Sequence, residues 1–143
     1  MYKAIELYTP FNAQEKADRH VMLRALDCGP ACFERTAPAH MTCSIWTVDP
    51  TARQTLLVYH NIYNSWSWIG GHADGERDLA AVALRELREE TGVTGARLIE
   101  CGPGAIFSLE VLPVAGHEKR GRYVSSHTHL NVTYLAVADP ADP

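Results

Sequence analysis

Between Gly70 and Val93 the chain reads GGHADGERDLAAVALRELREETGV, and this run decides the fold. From residue 79 onward apolar side chains recur at 80, 83, 84 and 87, the spacing of a helix with one buried stripe. Asp78 stands where an N-cap belongs and Gly92 where a left-handed C-cap belongs, so the pattern predicts a helix over about Leu79–Thr91. At ~100° per residue, Glu90 lies about 40° and Glu89 about 60° either side of Glu86. Three carboxylates therefore share one face, away from the stripe Ala80, Ala83, Leu84 and Leu87.

Like charges at these spacings repel, and they stand toward the helix end where the macrodipole also disfavours anions. Two readings account for them. A hard divalent cation such as Mg²⁺ takes carboxylate oxygens together with waters and substrate phosphates. Alternatively the face is solvated, with Arg85 and Arg88 supplying partial neutralisation.

The segment also resembles the Nudix box: Gly, five residues, Glu, seven residues, Arg-Glu, a bulky apolar residue, any residue, Glu-Glu, any residue, Gly, a bulky apolar residue. Gly71, Arg85, Glu86, Leu87, Glu89, Glu90, Gly92 and Val93 fall in register. One fixed position departs, because the family's first Glu falls on Arg77. Trp66-Ser67-Trp68-Ile69-Gly70-Gly71 is similar to the Trp-x-x-Pro-Gly-Gly strand end usual before the box. The resemblance implies an α/β fold, a Nudix-type α/β/α sandwich around a mixed β-sheet. It implies hydrolysis of a diphosphate linkage in a nucleoside diphosphate-X or related organic diphosphate, with Mg²⁺ or Mn²⁺. By position, Glu86, Glu89 and Glu90 would be metal ligands with a backbone carbonyl near Gly70 or Gly71, and Arg85 would hold a carboxylate in place. At Arg77, either Glu76 or Asp78 supplies the missing carboxylate, or turnover is lost and the chain is a non-catalytic nucleotide-binding or regulatory module.

Outward from the box, Asn12 and Glu15 form a capping box before a helix from about Ala13 to Cys28, which Gly29-Pro30 stops. Ala17, Val21, Ala25 and Cys28 share one of its faces. Strand-like runs follow at Met41–Val48 and Thr55–Tyr63, joined as a hairpin with a long loop. Trp66 and Trp68, two apart, read as core residues, with base stacking as the alternative. Further strands are expected at Arg97–Cys101, Ala105–Pro113 and His127–Ala138. The whole, residues 1–143, reads as one Nudix-like domain with an N-terminal helical extension at about 12–29 and the box at 70–93.

His127, His129 and Asn131 alternate onto one face of the last strand, where they either line a cleft or form a polar outer face. The run Ser126–Asn131 is similar to an Ala-His-x-His-x-Asp strand of some Nudix proteins, with Asn in place of Asp. Lys119, Arg120 and Arg122 concentrate positive charge in a polar loop, suiting substrate phosphates or simply solvent. Glu110 and Glu118 are the candidates for an outlying ligand or base.

Composition sets the outer bounds. The 13 Lys+Arg against 17 Asp+Glu give a net charge of −4, which excludes a global basic field for a nucleic-acid polymer. No apolar run approaches the ~18–20 residues of a membrane helix or forms a signal-peptide core, so a cytoplasmic protein with no membrane partner is expected. A small-molecule diphosphate is the expected partner, and a homodimer stays open. Cys28, Cys32, Cys43 and Cys101 read as small buried reduced thiols, although Cys28 and Cys32 with His20 and His40 raise a zinc alternative.

Overall fold

The computed structural model describes residues 1–61, 64–119 and 121–142. Among the described residues, three helices, α1 (Tyr2–Leu7), α2 (Ala13–Asp27) and α3 (Leu79–Thr91), are joined by ten strands. These are β1 (Ala39–Val48), β2 (Thr55–Leu56), β3 (Val58–His60), β4 (Ser65–Ser67), β5 (Ile69–His72), β6 (Arg97–Leu98), β7 (Ile106–Val114), β8 (His117–Lys119), β9 (Arg122–Val124) and β10 (His127–Val137). Short 3₁₀ turns occupy Pro30–Phe33 and Pro103–Ala105.

Alternation along the two longest strands explains the sheet. In β1, Met41, Cys43 and Ile45 are buried and apolar while His40, Thr42 and Ser44 alternate with them. In β10, Leu130, Val132, Tyr134 and Ala136 alternate with His129, Asn131 and Thr133. The two strands pair in parallel over their length, Ala39 opposite Thr128 through Val48 opposite Val137, so like faces match. β2 and β5 run antiparallel to β1, and β6 and β7 antiparallel to β10, giving a mixed six-stranded sheet. Helices flank it, and the α/β class with a Nudix-type arrangement is the fold observed.

Each helix is specified at its ends. The Asn12 side chain accepts from Glu15 N and starts α2; Asp78 accepts from Ala81 N at 3.1 Å and starts α3; Gly92, at φ 83°, stops it. The φ there is one that L side chains resist, so glycine is required. α3 buries Leu79, Val82, Ala83 and Leu87, with Ala80 and Leu84 at the margin. The fully buried positions of α2 are Glu15 and Met22; of the face Ala17, Val21, Ala25 and Cys28, Val21 and Ala25 pack partly buried against the core while Ala17 and Cys28 are exposed. The reason is polar. Leu109 N donates to Glu15 Oε1 at 2.9 Å and Val111 N to Asp18 Oδ2 at 3.1 Å, so α2 turns its carboxylates to the open edge of β7 and satisfies amides that lack a strand partner.

Other expectations need correction. The run at 55–63 is not one strand: Thr55–Leu56 pairs with β1, whereas Val58–His60 pairs with β4 in a separate ribbon. Ile62 and Tyr63 lie outside the described residues. The polar loop after β7 contains a hairpin of β8 and β9. Trp66 and Trp68 are 67% and 43% exposed and are not core residues. Cys28 and Cys101 are exposed, and only Cys32 and Cys43 are buried; all four are unpaired. Among the described residues, no helix is long and apolar enough to cross a membrane.

Candidate functional site

β5 positions two dissimilar groups of side chains, one on each face of the sheet. On the helix side, α3 lays Glu86 against Gly71. A Cβ at Gly71 would stand 2.5 Å from Glu86 Cγ and Cδ and 2.9 Å from Oε1, so the carboxyl group occupies the space that a side chain there would need. Arg85 bonds Glu86 Oε1 through Nη2 at 3.0 Å and approaches Glu89 Oε1 through Nε at 3.8 Å. Its guanidinium supplies the compensation that the three clustered carboxylates call for. The Glu86 side chain is 20% exposed and that of Glu89 61%, so the face grades from sheltered to open. Burial and the neighbouring Glu86 charge raise the Glu90 carboxyl above its ordinary pKa. Beneath them the Cys43 thiol is pushed up to about 12 by burial, which makes it an inert filler despite its contact with Gly71 O.

Arg77 precedes the N-cap at the opposite end of α3, and the neighbouring Asp78 stands eight residues before Glu86, roughly 12 Å along the axis at ~1.5 Å per residue. Its guanidinium lies 6.0 Å from the centre of the Phe33 ring. Both flanking acids bond backbone: Glu76 Oε1 accepts from Arg77 N and Asp78 N at 2.7 and 3.0 Å, and Asp78 caps the helix.

On the other face, the sheet register collects histidines. His40 is opposite His129, and Thr42 is opposite both Asn131 and His72. His40, His72 and His129 each offer a ring nitrogen within 4.8 Å of the others, a His-based site capable of coordinating a metal ion. The His40 ring centre lies 5.3 Å from that of His72, 5.2 Å from His127 and 5.1 Å from His129. His127 bonds Ser125 O through Nδ1 at 2.9 Å and His129 Nε2 through Nε2 at 3.2 Å. Burial, followed by the positive charge of Arg35, lowers the His72 pKa to about 4. Burial, followed by the neighbouring imidazoles, lowers that of His129 to about 4. Neutral imidazoles carry the lone pairs that metal ligation needs.

The same face continues as a polar ladder. Asn131 Oδ1 accepts from Thr42 Oγ1 at 3.0 Å and Ser44 Oγ at 3.1 Å, while Asn131 Nδ2 donates to Glu110 Oε2 at 2.9 Å and to Thr133 Oγ1 at 3.1 Å. Trp68 Nε1 donates to Ser44 Oγ at 3.1 Å, and its ring stacks on Trp46 at 5.4 Å. This network explains Asn in place of Asp at 131. An amide can donate to Glu110, whereas a second carboxylate would repel it.

Of the residues singled out by sequence, the structure brings His127 and His129 together and sets Glu86 beside Gly71. Lys119 lies near enough to His72 to disfavour its protonation and pairs in register with Arg122. Arg120 lies outside the described residues. Glu110 is held in the ladder; Glu118 is exposed on β8. Among the described residues, Glu86, Glu89 and Glu90 do not close into a ligand group as tight as the three imidazoles. Sequence reading missed His72 as a site residue and set His40 beside Cys28, Cys32 and His20 rather than beside His72 and His129. Their only signals were alternation before Met41 and adjacency to Gly70-Gly71.

A model of the NUDIX domain matches residues 38–140, which takes in α3 and every strand and leaves α1 and α2 outside. No curated protein matches the chain.

Proposed function

The chain belongs to the NUDIX domain family, and from that premise we propose that it is a Mg²⁺-dependent diphosphatase acting on a nucleoside diphosphate-X or related small organic diphosphate. One observation carries the reading: the Glu86 carboxyl fills the space that the missing Gly71 side chain leaves. That cradle sets a helix carboxylate beside a strand backbone and so joins charged and neutral oxygen donors. The donor set suits Mg²⁺, with Mn²⁺ as a substitute. Glu86, Glu89 and Glu90 would hold the ion with the Gly71 carbonyl. When bound, such an ion supplies charge neutralisation on bridging phosphate oxygens and a bound water of lowered pKa.

The chain's own residues do the rest. Arg85 is a positioning residue: its bonds to Glu86 and Glu89 keep two like charges on one face with their oxygens oriented. Lys119 and Arg122, on the hairpin whose charge reaches His72, attract the substrate's phosphates. His127 and His129 stand at the same end of the sheet but on its opposite face. Arg77, in place of the box's first glutamate, is a structural residue at the start of α3, stacked on Phe33 and remote from the carboxylates. The alternative, a nucleotide-binding module without turnover, draws its support from that charge reversal.

The test is release of phosphate or nucleotide from a panel of nucleoside triphosphates, nucleotide sugars, dinucleotides and non-nucleotide diphosphates, with and without Mg²⁺ or Mn²⁺. Metal-dependent cleavage of at least one class is expected. Nucleotide binding by calorimetry without cleavage of any class would replace the enzyme with the binding module.

A further inference from the structure

We propose that His40, His72 and His129 form a nitrogen-donor site for a borderline divalent transition ion of the zinc class, distinct from the oxygen donors of α3. The decisive atom is His40 Nε2. His40 is 2% exposed, its Nδ1 bonds the Ala37 carbonyl at 2.8 Å, and its Nε2 is buried with no hydrogen-bond partner. A carbonyl can only accept, so Nδ1 carries the proton and Nε2 presents a bare lone pair. A buried histidine kept for packing would have both nitrogens satisfied, since an unpaired buried acceptor is costly. Here the lone pair belongs to the ring around which the other imidazoles gather, at centre distances of 5.1 to 5.3 Å.

The chemistry selects the ion. Three imidazoles are poor ligands for Mg²⁺, which demands oxygen, and good ones for Zn²⁺, which takes three protein nitrogens and leaves a fourth position open. On Zn²⁺, with Zn–N bonds of ~2.0–2.1 Å, tetrahedral ligand atoms stand roughly 3.3 Å apart. Three nitrogens already within 4.8 Å of one another need only small side-chain rotations to reach that triangle. The ligands come from three strands, β1, β5 and β10, whose register fixes their relative positions. The surroundings are those of a metal-binding histidine. Ala37 O holds the far nitrogen of His40, and His127, itself fixed by Ser125 O, shares a hydrogen bond with His129. Lys119, whose charge reaches His72, favours an anion at the open position, while Arg35 is paired with Asp74.

The inference does not depend on the proposed diphosphatase activity, because its donors lie across the sheet from Glu86. The test uses untagged full-length protein stripped by chelator, then titrated with Zn²⁺ by calorimetry at saturating Mg²⁺. One Zn²⁺ per chain is expected, and Co²⁺ in its place should give the intense visible bands of a four-coordinate nitrogen site. His72→Ala and His129→Ala, both at half-buried positions, should each weaken Zn²⁺ binding about 100-fold or more, at or beyond the upper end of what losing an outer-shell partner costs. Glu86→Gln and the exposed His20→Ala should leave it unchanged. The proposal is overturned if the parent binds no stoichiometric Zn²⁺, if Co²⁺ gives only the weak bands of a six-coordinate oxygen site, or if Glu86→Gln abolishes binding that the histidine variants retain. The Co²⁺ spectrum of the parent decides even if a histidine variant fails to fold.

Discussion

Gly71 and His72 are consecutive on β5, yet one supports a cluster of oxygen donors open to solvent and the other a cluster of sheltered nitrogen donors. The difference lies in how each cluster is assembled. Glu86, Glu89 and Glu90 share a face because one helix turn repeats every ~3.6 residues, and a single cap at each end fixes that helix. His40 and His129 meet because β1 and β10 pair in parallel, a contact between residues far apart in the chain. A locally built site tolerates charge because solvent and Arg85 offset it. One built across strands is sheltered, which favours imidazoles, and the carboxylate on that face, Glu110, is held by hydrogen bonds from Asn131 and Thr133.

The comparison breaks most decisively at Glu86. Glu86→Gln, and likewise Glu90→Gln, should lower turnover by about 10³-fold, toward the top of what losing one charge-stabilising group costs, with the fold intact. Each removes a like charge from the α3 face, so stability without metal should hold or rise slightly, read from urea denaturation at low ionic strength. Turnover near that of the parent at saturating Mg²⁺ would move catalysis off the helix side altogether.

Gly71→Ala tests the join between the two clusters. Its new Cβ would sit 2.5 Å from Glu86 carbons, so the carboxyl must move. A displacement of about 1 Å is enough to lower turnover about 10²-fold, and overpacking should reduce stability by about 1–3 kcal/mol. The His72 side chain points to the other face, so Zn²⁺ affinity should stay within a few-fold. Equal loss of both properties would show that the clusters act as one site.

The helix side was legible in the sequence for the same reason that it is local. Asn12, Asp78 and Gly92 mark helix ends where the structure has them, and the carboxylate face follows from spacing alone. The imidazole side was half legible. Period-two alternation put His127, His129 and Asn131 on one face, but nothing local says that β10 lies beside β1, so His72 stayed unread and His40 was grouped with Cys28, Cys32 and His20 instead of His129. Trp66 and Trp68 misled because aromatic residues before a glycine pair resemble a core strand. In the structure Trp66 packs edge-on to Tyr59 in a two-stranded ribbon, and Trp68 stacks on Trp46 at the surface. On α2 the hydrophobic spacing marks Val21 and Ala25, which pack against the core, but it cannot show that the edge of β7 needs acceptors, which Glu15 and Asp18 provide.

A smaller effect is expected from the hairpin that carries charge to the imidazole side. Lys119→Ala with Arg122→Ala should raise KM several-fold and change kcat little, because these residues bind phosphate equally in ground and transition states. A rising salt concentration should shrink the difference between parent and variant. An unchanged KM would mean that the substrate does not extend from the carboxylates to the histidine face.

The smallest change is expected at Arg77, where the charge reversal in the box invites the opposite view. Removing the guanidinium from the Phe33 ring forfeits about 0.5–1 kcal/mol. A glutamate beside the helix start regains about 0.3–1 kcal/mol from the macrodipole, so Arg77→Glu should leave stability nearly unchanged. The effect on catalysis follows from distance. At roughly 12 Å, two unit charges interact by about 0.35 kcal/mol in water, and a Debye length of ~10 Å reduces that to about 0.1 kcal/mol. Reversing one charge opposite a divalent ion multiplies the figure fourfold, to about 0.4 kcal/mol, or about a twofold change in rate. Phosphate release by parent and variant on one substrate, at matched Mg²⁺, measures it. A variant more than tenfold faster than a nearly inactive parent would mean that Arg77 disables the carboxylate face, and this chain would then be a nucleotide-binding module whose enzymatic chemistry one substitution restores.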